Sequence, residues 1–414
     1  MTEGSRGLSQ IIAATVVAGI AGYVVTWLVY RQVGPAEYAL FAVFWAALYL
    51  VVGGLSGIQQ EITRATHPIA FGTRQRASRS RNFGVFAAMV TAVAIIATAP
   101  LWASAVFQPA GWALVWPLAV GAGAYVLVAT LGGSLYGISQ WPSLAIMIAF
   151  DGVIRLALLA VGLLFTHDVV VLAWMVALPF PLTIAVLWPI FRRGFVSRSN
   201  IDVGYRDLSW NVTRTILASV STAVLVSGFP LLLGVTAQGE EPALVGELIF
   251  TITLTRAPLI ITLMSLQSYL VVRFRDQEGH RGRTFLRIQG LILAAAAVLA
   301  LLGWWLGPAG FGWISGAPVS LDGPFIAILV GSSALVATLC VAASAVLARS
   351  RHFVYSLGWA IAALATITVM LLPIGILPRV GLAVTIGPIA GILVYGGWLA
   401  AGIPRKRKEM AQDL

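Results

Sequence analysis

Long apolar runs separated by short polar breaks fill this chain from end to end. A bilayer core about 30 Å thick is crossed by about 20 residues of helix at about 1.5 Å rise per residue. Twelve runs meet that length, over residues 9–30, 37–62, 83–106, 111–137, 143–165, 169–191, 211–235, 244–271, 285–307, 324–348, 353–373 and 380–402. The pattern predicts an all-α polytopic membrane protein of about twelve transmembrane helices. The first run, Ser9 to Tyr30, is too long for a signal-peptide core and is followed by helices of the same kind, so it is expected to be retained.

Composition agrees. Of 414 residues, 59% are hydrophobic and 10% charged, with 42 glycines, whereas a soluble domain carries about 25% charge. The net charge of +11 invites a nucleic-acid reading, but the distribution removes it. Basic residues gather at 64–81, 192–206, 273–287, 349–351 and the 405–408 tail, all on one predicted side. The opposite loops hold Arg31 and Arg379 as their bases, with Asp168, Glu240, Glu241 and Asp322. Positive charge is retained in the cytoplasm, so both termini are expected there. The tail is expected to meet anionic lipid headgroups. The single cysteine, Cys340, lies in an apolar run and supports neither a disulfide nor a metal cluster.

The polar stretch 192–210 falls near half length and separates six runs from six. It divides the chain into an N-terminal six-helix lobe (1–191), a cytoplasmic linker (192–210), a C-terminal six-helix lobe (211–403) and a basic cytoplasmic tail (404–414). Each half shows a helix, a short acidic turn and a second helix, then glutamine ahead of arginine: Gln59 and Gln60 before Arg64, and Gln267 before Arg273. Parallel repeats of this kind place a substrate cavity between the halves.

Charges within the runs are the candidate chemistry. Arg256 stands in ITLTRAPLIITL, where an unpaired charge costs about 2.5–3.5 kcal/mol on the insertion scale. It either serves a substrate or locks helices by pairing with a carboxylate. Glu247 is nine residues away on the same helix, about two and a half turns, which disfavours direct pairing. Asp151, in the fifth run, matches it better in depth. Asp151 and Arg155 are spaced i,i+4 and share a face, either as an internal salt bridge or as a cavity pair from which Asp151 takes a proton. Glu61 and Arg64, three apart, form an interfacial gate or a plain anchor. Arg214, after Trp210 and Asn211, receives a headgroup or snorkels to the interface. Gly53, Gly54 and Gly57 are read as bending or close-packing positions, and Gly228 with Pro230 interrupts the seventh run. Trp102, Trp112, Trp116 and Trp141 suit an aromatic belt.

The stretch YRQVGPAEYALFAVFWAALYL (30–50), with its Gly-Pro-x-x-Tyr turn, and TRAPLIITLMSLQSYLVVRF (255–274) resemble the polysaccharide flippases of the multidrug/oligosaccharidyl-lipid/polysaccharide exporter superfamily. That resemblance implies a transporter, not an enzyme. Its substrate would be a polyprenyl-diphosphate-linked oligosaccharide moved from inner to outer leaflet of the bacterial cytoplasmic membrane, next to polysaccharide polymerase or ligase machinery. Arg256, Arg155 and Arg214 would then meet the diphosphate or sugar acids, with Pro258 permitting a kink. No cofactor is expected. Energy would come from H⁺, Na⁺ or membrane potential, since no Walker loop or nucleotide fingerprint is present. Two other readings remain open: a drug or cation antiporter of the same superfamily, although 8–30 lacks an acidic residue, and a glycan polymerase or ligase, although its longest candidate outward loop, 306–323, offers one Asp and neither His nor Arg.

Overall fold

The computed structural model describes residues 3–68, 78–195, 199–201, 204–256, 270, 274, 281–316, 318–349 and 351–401. Among the described residues nine spans are long and apolar enough to cross a membrane, the first of them containing two of the predicted runs, in a fold of about twelve transmembrane helices, several of which bend. Helix α1 (Glu3–Ala65) contains the first two runs, which meet at Gly34 with φ 81°. An L side chain is strained at that angle, so glycine is needed at the turn, and Pro35 restarts the helix after it. The third crossing is α2 (Ser78–Thr98), a 3₁₀ turn (Ala99–Leu101) and α3 (Ala103–Val106). Next come α4 (Trp112–Gly137) and α5 (Trp141–Gly162), followed by α6 (Val169–Ala177) and α7 (Pro179–Phe195) as one broken crossing.

The expected seventh run is likewise two pieces, α8 (Tyr205–Ser227) and α9 (Phe229–Thr236), divided at Gly228 just before Pro230. Helix α10 is described over 242–256; Pro258 and Gln267 lie outside the described residues. Then follow α11 (Arg281–Ser315), α12 (Gly323–Leu347), α13 (His352–Met370) and α14 (Ile376–Ala401). One expectation is corrected here. The stretch 306–323, read as an outward loop, is helical as far as Ser315. Backbone at membrane depth must find its hydrogen bonds within the protein, and a helix supplies nearly all of them even with Pro308, which has no N–H to donate, inside it. Two three-residue strands, β1 (Thr66–Pro68) and β2 (Ser199–Ile201), pair antiparallel with His67 opposite Asn200, tying the segment after α1 to the one before α8.

Two of the acids on the predicted outer side have structural work. Asp168 accepts from the N–H groups of Val170 and Val171 at 2.7 and 3.3 Å, and Asp322 accepts from that of Phe325 at 3.1 Å. Both cap helices whose first N–H groups have no partner within the helix.

The chain forms two compact units, Met1–Phe250 with Gly312–Ser320, and Thr251–Phe311 with Leu321–Leu414. This division falls at 250/251, whereas the sequence places its linker at 192–210. The reason is a close helix pair inside the first unit. A Cβ on Gly57 would stand 2.7 Å from the Ile216 backbone nitrogen, and one on Gly53 would stand 2.7 Å from the Ala223 Cβ. Small residues thus let α1 and α8 approach backbone to backbone, as membrane helices do. Of the two readings of Gly53 and Gly57, close packing is the one the contacts support. At one end, Ile58, Ile62, Phe83, Val126, Leu208 and Val212 form a buried cluster joining α1, α2, α4 and α8.

The Gly-Pro-x-x-Tyr turn is held within the same unit. Tyr30 stacks on Phe250 with ring centroids 3.9 Å apart, and Tyr38 meets Phe250 edge-on at 5.8 Å. Gly246 has room for no side chain, because a Cβ there would fall on the Pro35 carbonyl oxygen.

Substituting Gly57→Ala is expected to destabilise the purified protein by about 1–3 kcal/mol, the usual range for overpacking. Gly22→Ala, where a Cβ meets nothing within 4 Å, is expected to be near neutral. Thermal melts in one detergent check both; equal behaviour of the two variants would contradict the packing account.

Candidate functional site

In unit 1, the sequence spacing of Asp151 and Arg155 on α5 yields a two-point ion pair. Arg155 Nη1 lies 2.8 Å from Asp151 Oδ2, and Nη2 donates to Oδ1 at 2.9 Å. The third nitrogen is used as well: Nε donates to the Val176 carbonyl at 3.3 Å. That carbonyl sits at the end of α6, one residue before the break that Pro179 imposes, so the helix interruption supplies an acceptor. The guanidinium carbon lies 4.9 Å from the Phe180 ring centroid and 5.6 Å from that of Tyr49. Planar arginine suits both the fork and the ring contacts. The Arg155 side chain is 6% exposed and that of Asp151 20%. The base is therefore enclosed, and the acid keeps an open edge. Tyr49, Phe180 and the Val176 carbonyl were not singled out in the sequence; an arginine alone in an apolar helix does not say which partners the fold will bring.

Arg256 belongs to unit 2. It ends the described part of α10, and its Nη2 donates to the Val384 carbonyl on α14 at 3.2 Å and to Ser332 Oγ on α12 at 3.4 Å. Ser332 is itself buried and donates to the Leu329 carbonyl at 2.8 Å. The sequence analysis did not single out Ser332; its place beside Ser333 in an otherwise apolar run is the signal that could have pointed to it. Glu247, in unit 1, is buried and accepts from Ser320 Oγ.

Glu61 and Arg64 pair as their spacing requires, with Arg64 Nε 2.9 Å from Oε2. Glu61 is buried while the Arg64 side chain is 62% exposed, so the base lies over the acid at the end of α1. Gln60 Nε2 reaches Ser219 Oγ at 3.4 Å. Arg214 is exposed on α8. Cys340 is a buried free thiol. Among the described residues no group of three or more His, Cys, Asp or Glu is placed to hold a metal.

Breaking a buried pair leaves an uncompensated charge, which costs about 3–5 kcal/mol, whereas replacing both partners with apolar groups is often neutral. Arg155→Met and Asp151→Leu are each expected to lose stability in that range in detergent melts. The double variant is expected to lose less than either single one. Additive losses would show that the two side chains act independently.

No family model matches the chain. The uncharacterized protein Rv1510 of Mycobacterium tuberculosis (strain H37Rv) is 30% identical over 408 residues, covering 96% of this chain and 92% of that protein. The uncharacterized protein Mb3654 of Mycobacterium bovis is 29% identical over 398 residues, covering 94% and 91%. Among solved structures, an inward-facing multidrug resistance MATE family transporter of the MOP superfamily superposes with a TM-score of 0.70 at 13% identity, covering 92% of this chain and 93% of that one. The lipid II flippase MurJ, in an inward closed conformation, gives a TM-score of 0.68 at 10% identity, covering 94% and 87%. The chain is a multi-pass membrane protein with the fold of the MOP superfamily transporters, and it belongs to one family with the Mycobacterium tuberculosis protein Rv1510.

Proposed function

We propose that this protein is a flippase that moves a polyprenyl-diphosphate-linked oligosaccharide from the inner to the outer leaflet of the bacterial cytoplasmic membrane during assembly of cell-surface polysaccharide. The observation that carries the reading is Arg256, a cation inside a bundle of apolar helices, oriented by a serine hydroxyl and a carbonyl from two neighbouring helices. A guanidinium presents a planar fork of donors that matches phosphate oxygens two at a time, and intramembrane charges mark substrate paths by default. One structural neighbour is a lipid II flippase, which supports a lipid-linked substrate for this fold.

The mechanism we propose is alternating access of the two six-helix lobes that the sequence pattern suggests, with both termini in the cytoplasm. Exposed Arg214 receives the diphosphate at the cytoplasmic face, and Arg256 holds it at depth. The oligosaccharide follows the headgroup while the polyprenyl chain stays in lipid. Arg155 is enclosed by Asp151, Val176, Phe180 and Tyr49, so its first role is to hold α5, α6 and α7 together. It reaches substrate only if the pair with Asp151 opens, and the proton that Asp151 then takes would couple transport to H⁺. Na⁺ or membrane potential would drive a cycle in which the pair stays closed. Membrane lipids and a downstream polymerase or ligase complete the set of partners.

Deleting the gene in its source organism is expected to trap lipid-linked oligosaccharide on the inner leaflet, read by leaflet-selective labelling. Wild type is expected to relieve the build-up, while Arg256→Ala at equal protein level leaves at least tenfold more trapped. Accumulation on the outer leaflet, or none, would sink the reading.

A second reading is a drug or cation antiporter, favoured by the superposition with the MATE transporter and by the 20% exposure of the Asp151 side chain inside the membrane. Cation efflux from cells lacking the gene distinguishes the two. The flippase reading expects efflux to be unchanged. It also expects that, if Asp151 carries the coupling proton, Asp151→Asn flattens the pH dependence of transport in vesicles; an unchanged profile would leave the residue a structural role alone.

A further inference from the structure

On unit 1, a groove of about 200 Å³ lies between α2, α4 and α7. Its walls are Val85, Leu127, Leu131, Ile184 and Trp188, with Arg81 at one end. The polar groups near the wall are already engaged. Ser80 Oγ lies 3.1 Å from Ser134 Oγ, Ser134 donates to the Thr130 carbonyl, and Thr130 donates to the Val126 carbonyl. What faces the groove is therefore almost entirely hydrocarbon. Its volume is below the roughly 300–1,000 Å³ of sites that enclose whole small molecules, which suits a length of acyl chain.

The lining residues from Ser80 onward lie within the segments Ser80–Leu101, Trp112–Gly137 and Val169–Arg192, each long and apolar enough to cross the membrane, so the groove lies at bilayer depth. Both helices that flank its mouth present arginine. Arg81 is exposed at the start of the span on α2, and Arg192 is exposed on α7, four residues beyond Trp188 and so on the same helix face one turn further out. None of the lining residues is acidic. The sequence adds Arg74, Arg76 and Arg79 immediately before Arg81.

We infer that this groove is a binding site for one anionic phospholipid, with an acyl chain against Val85, Leu131, Ile184 and Trp188 and the phosphate at Arg81 and Arg192. Basic pockets between helices on the cytoplasmic side take anionic headgroups. A zwitterionic lipid offers the same chain but cancels its phosphate with an ammonium, so charge selects between them. The site does not depend on which solute the protein moves, and its occupant is a resident lipid.

Native mass spectrometry of the detergent-purified protein, titrated with phosphatidylglycerol or phosphatidylcholine, tests the site. Wild type is expected to retain one phosphatidylglycerol at concentrations where phosphatidylcholine has dissociated. Arg81→Ala is expected to bind phosphatidylglycerol about fivefold more weakly, the effect of one basic residue at an anionic surface. Arg81→Ala with Arg192→Ala is expected to weaken it about twenty-five-fold. Val85→Trp, at a position 44% exposed and therefore open to a larger side chain, is expected to displace the chain while both arginines remain. Gel filtration and lipid-free melting check that the variants fold; if Val85→Trp does not, the arginine variants decide. Equal retention of the two lipids by wild type, or wild-type binding in the arginine variants, would overturn the proposal.

Discussion

A bilayer interior offers no water, so every polar group carried into it must find its partner within the protein. Arg155 shows how far that constraint reaches. Enclosing one guanidinium takes a carboxylate one turn earlier on its own helix, a carbonyl from the end of α6 and two aromatic rings from α1 and α7. The break between α6 and α7 is part of the same arrangement, because the end of α6 is where the Val176 carbonyl meets the arginine. The packing of α1, α5, α6 and α7 and the tolerance of a charge among them are thus one structural fact.

The same constraint accounts for the glycines. Association of helices in lipid gains little from burying apolar surface and depends on close van der Waals contact. Gly57 against Ile216 and Gly246 against Pro35 bring backbones together where any side chain would hold them apart. The helices that approach α1 in this way, α8 and α10, both come after the polar stretch 192–210, which is why the compact units divide later than that stretch.

Arg256 is treated differently from Arg155. Its donors rest on a hydroxyl and a carbonyl contributed by α12 and α14, groups that orient a guanidinium without carrying formal charge. Arg155 is tied into an ion pair on its own helix. The two arginines thus meet the same insertion cost through different sets of acceptors.

Much of this was legible in the linear pattern. The apolar runs predict an all-helical bundle of about twelve crossings because length and apolarity govern whether a helix spans a bilayer, and nine such spans stand among the described residues. The Asp151–Arg155 and Glu61–Arg64 pairs follow from helical spacing, and Gly228 with Pro230 marks a real interruption. Local rules suffice for such features, since their partners lie within a turn. The tertiary structure alone decided the rest: that Val176, Phe180 and Tyr49 surround Arg155, that Ser332 and Val384 receive Arg256, and that 306–315 continues a helix through Pro308 when the segment read as a loop. Those outcomes rest on contacts between residues far apart in the chain or on backbone hydrogen bonding at membrane depth, and neither is encoded in the spacing of any one segment.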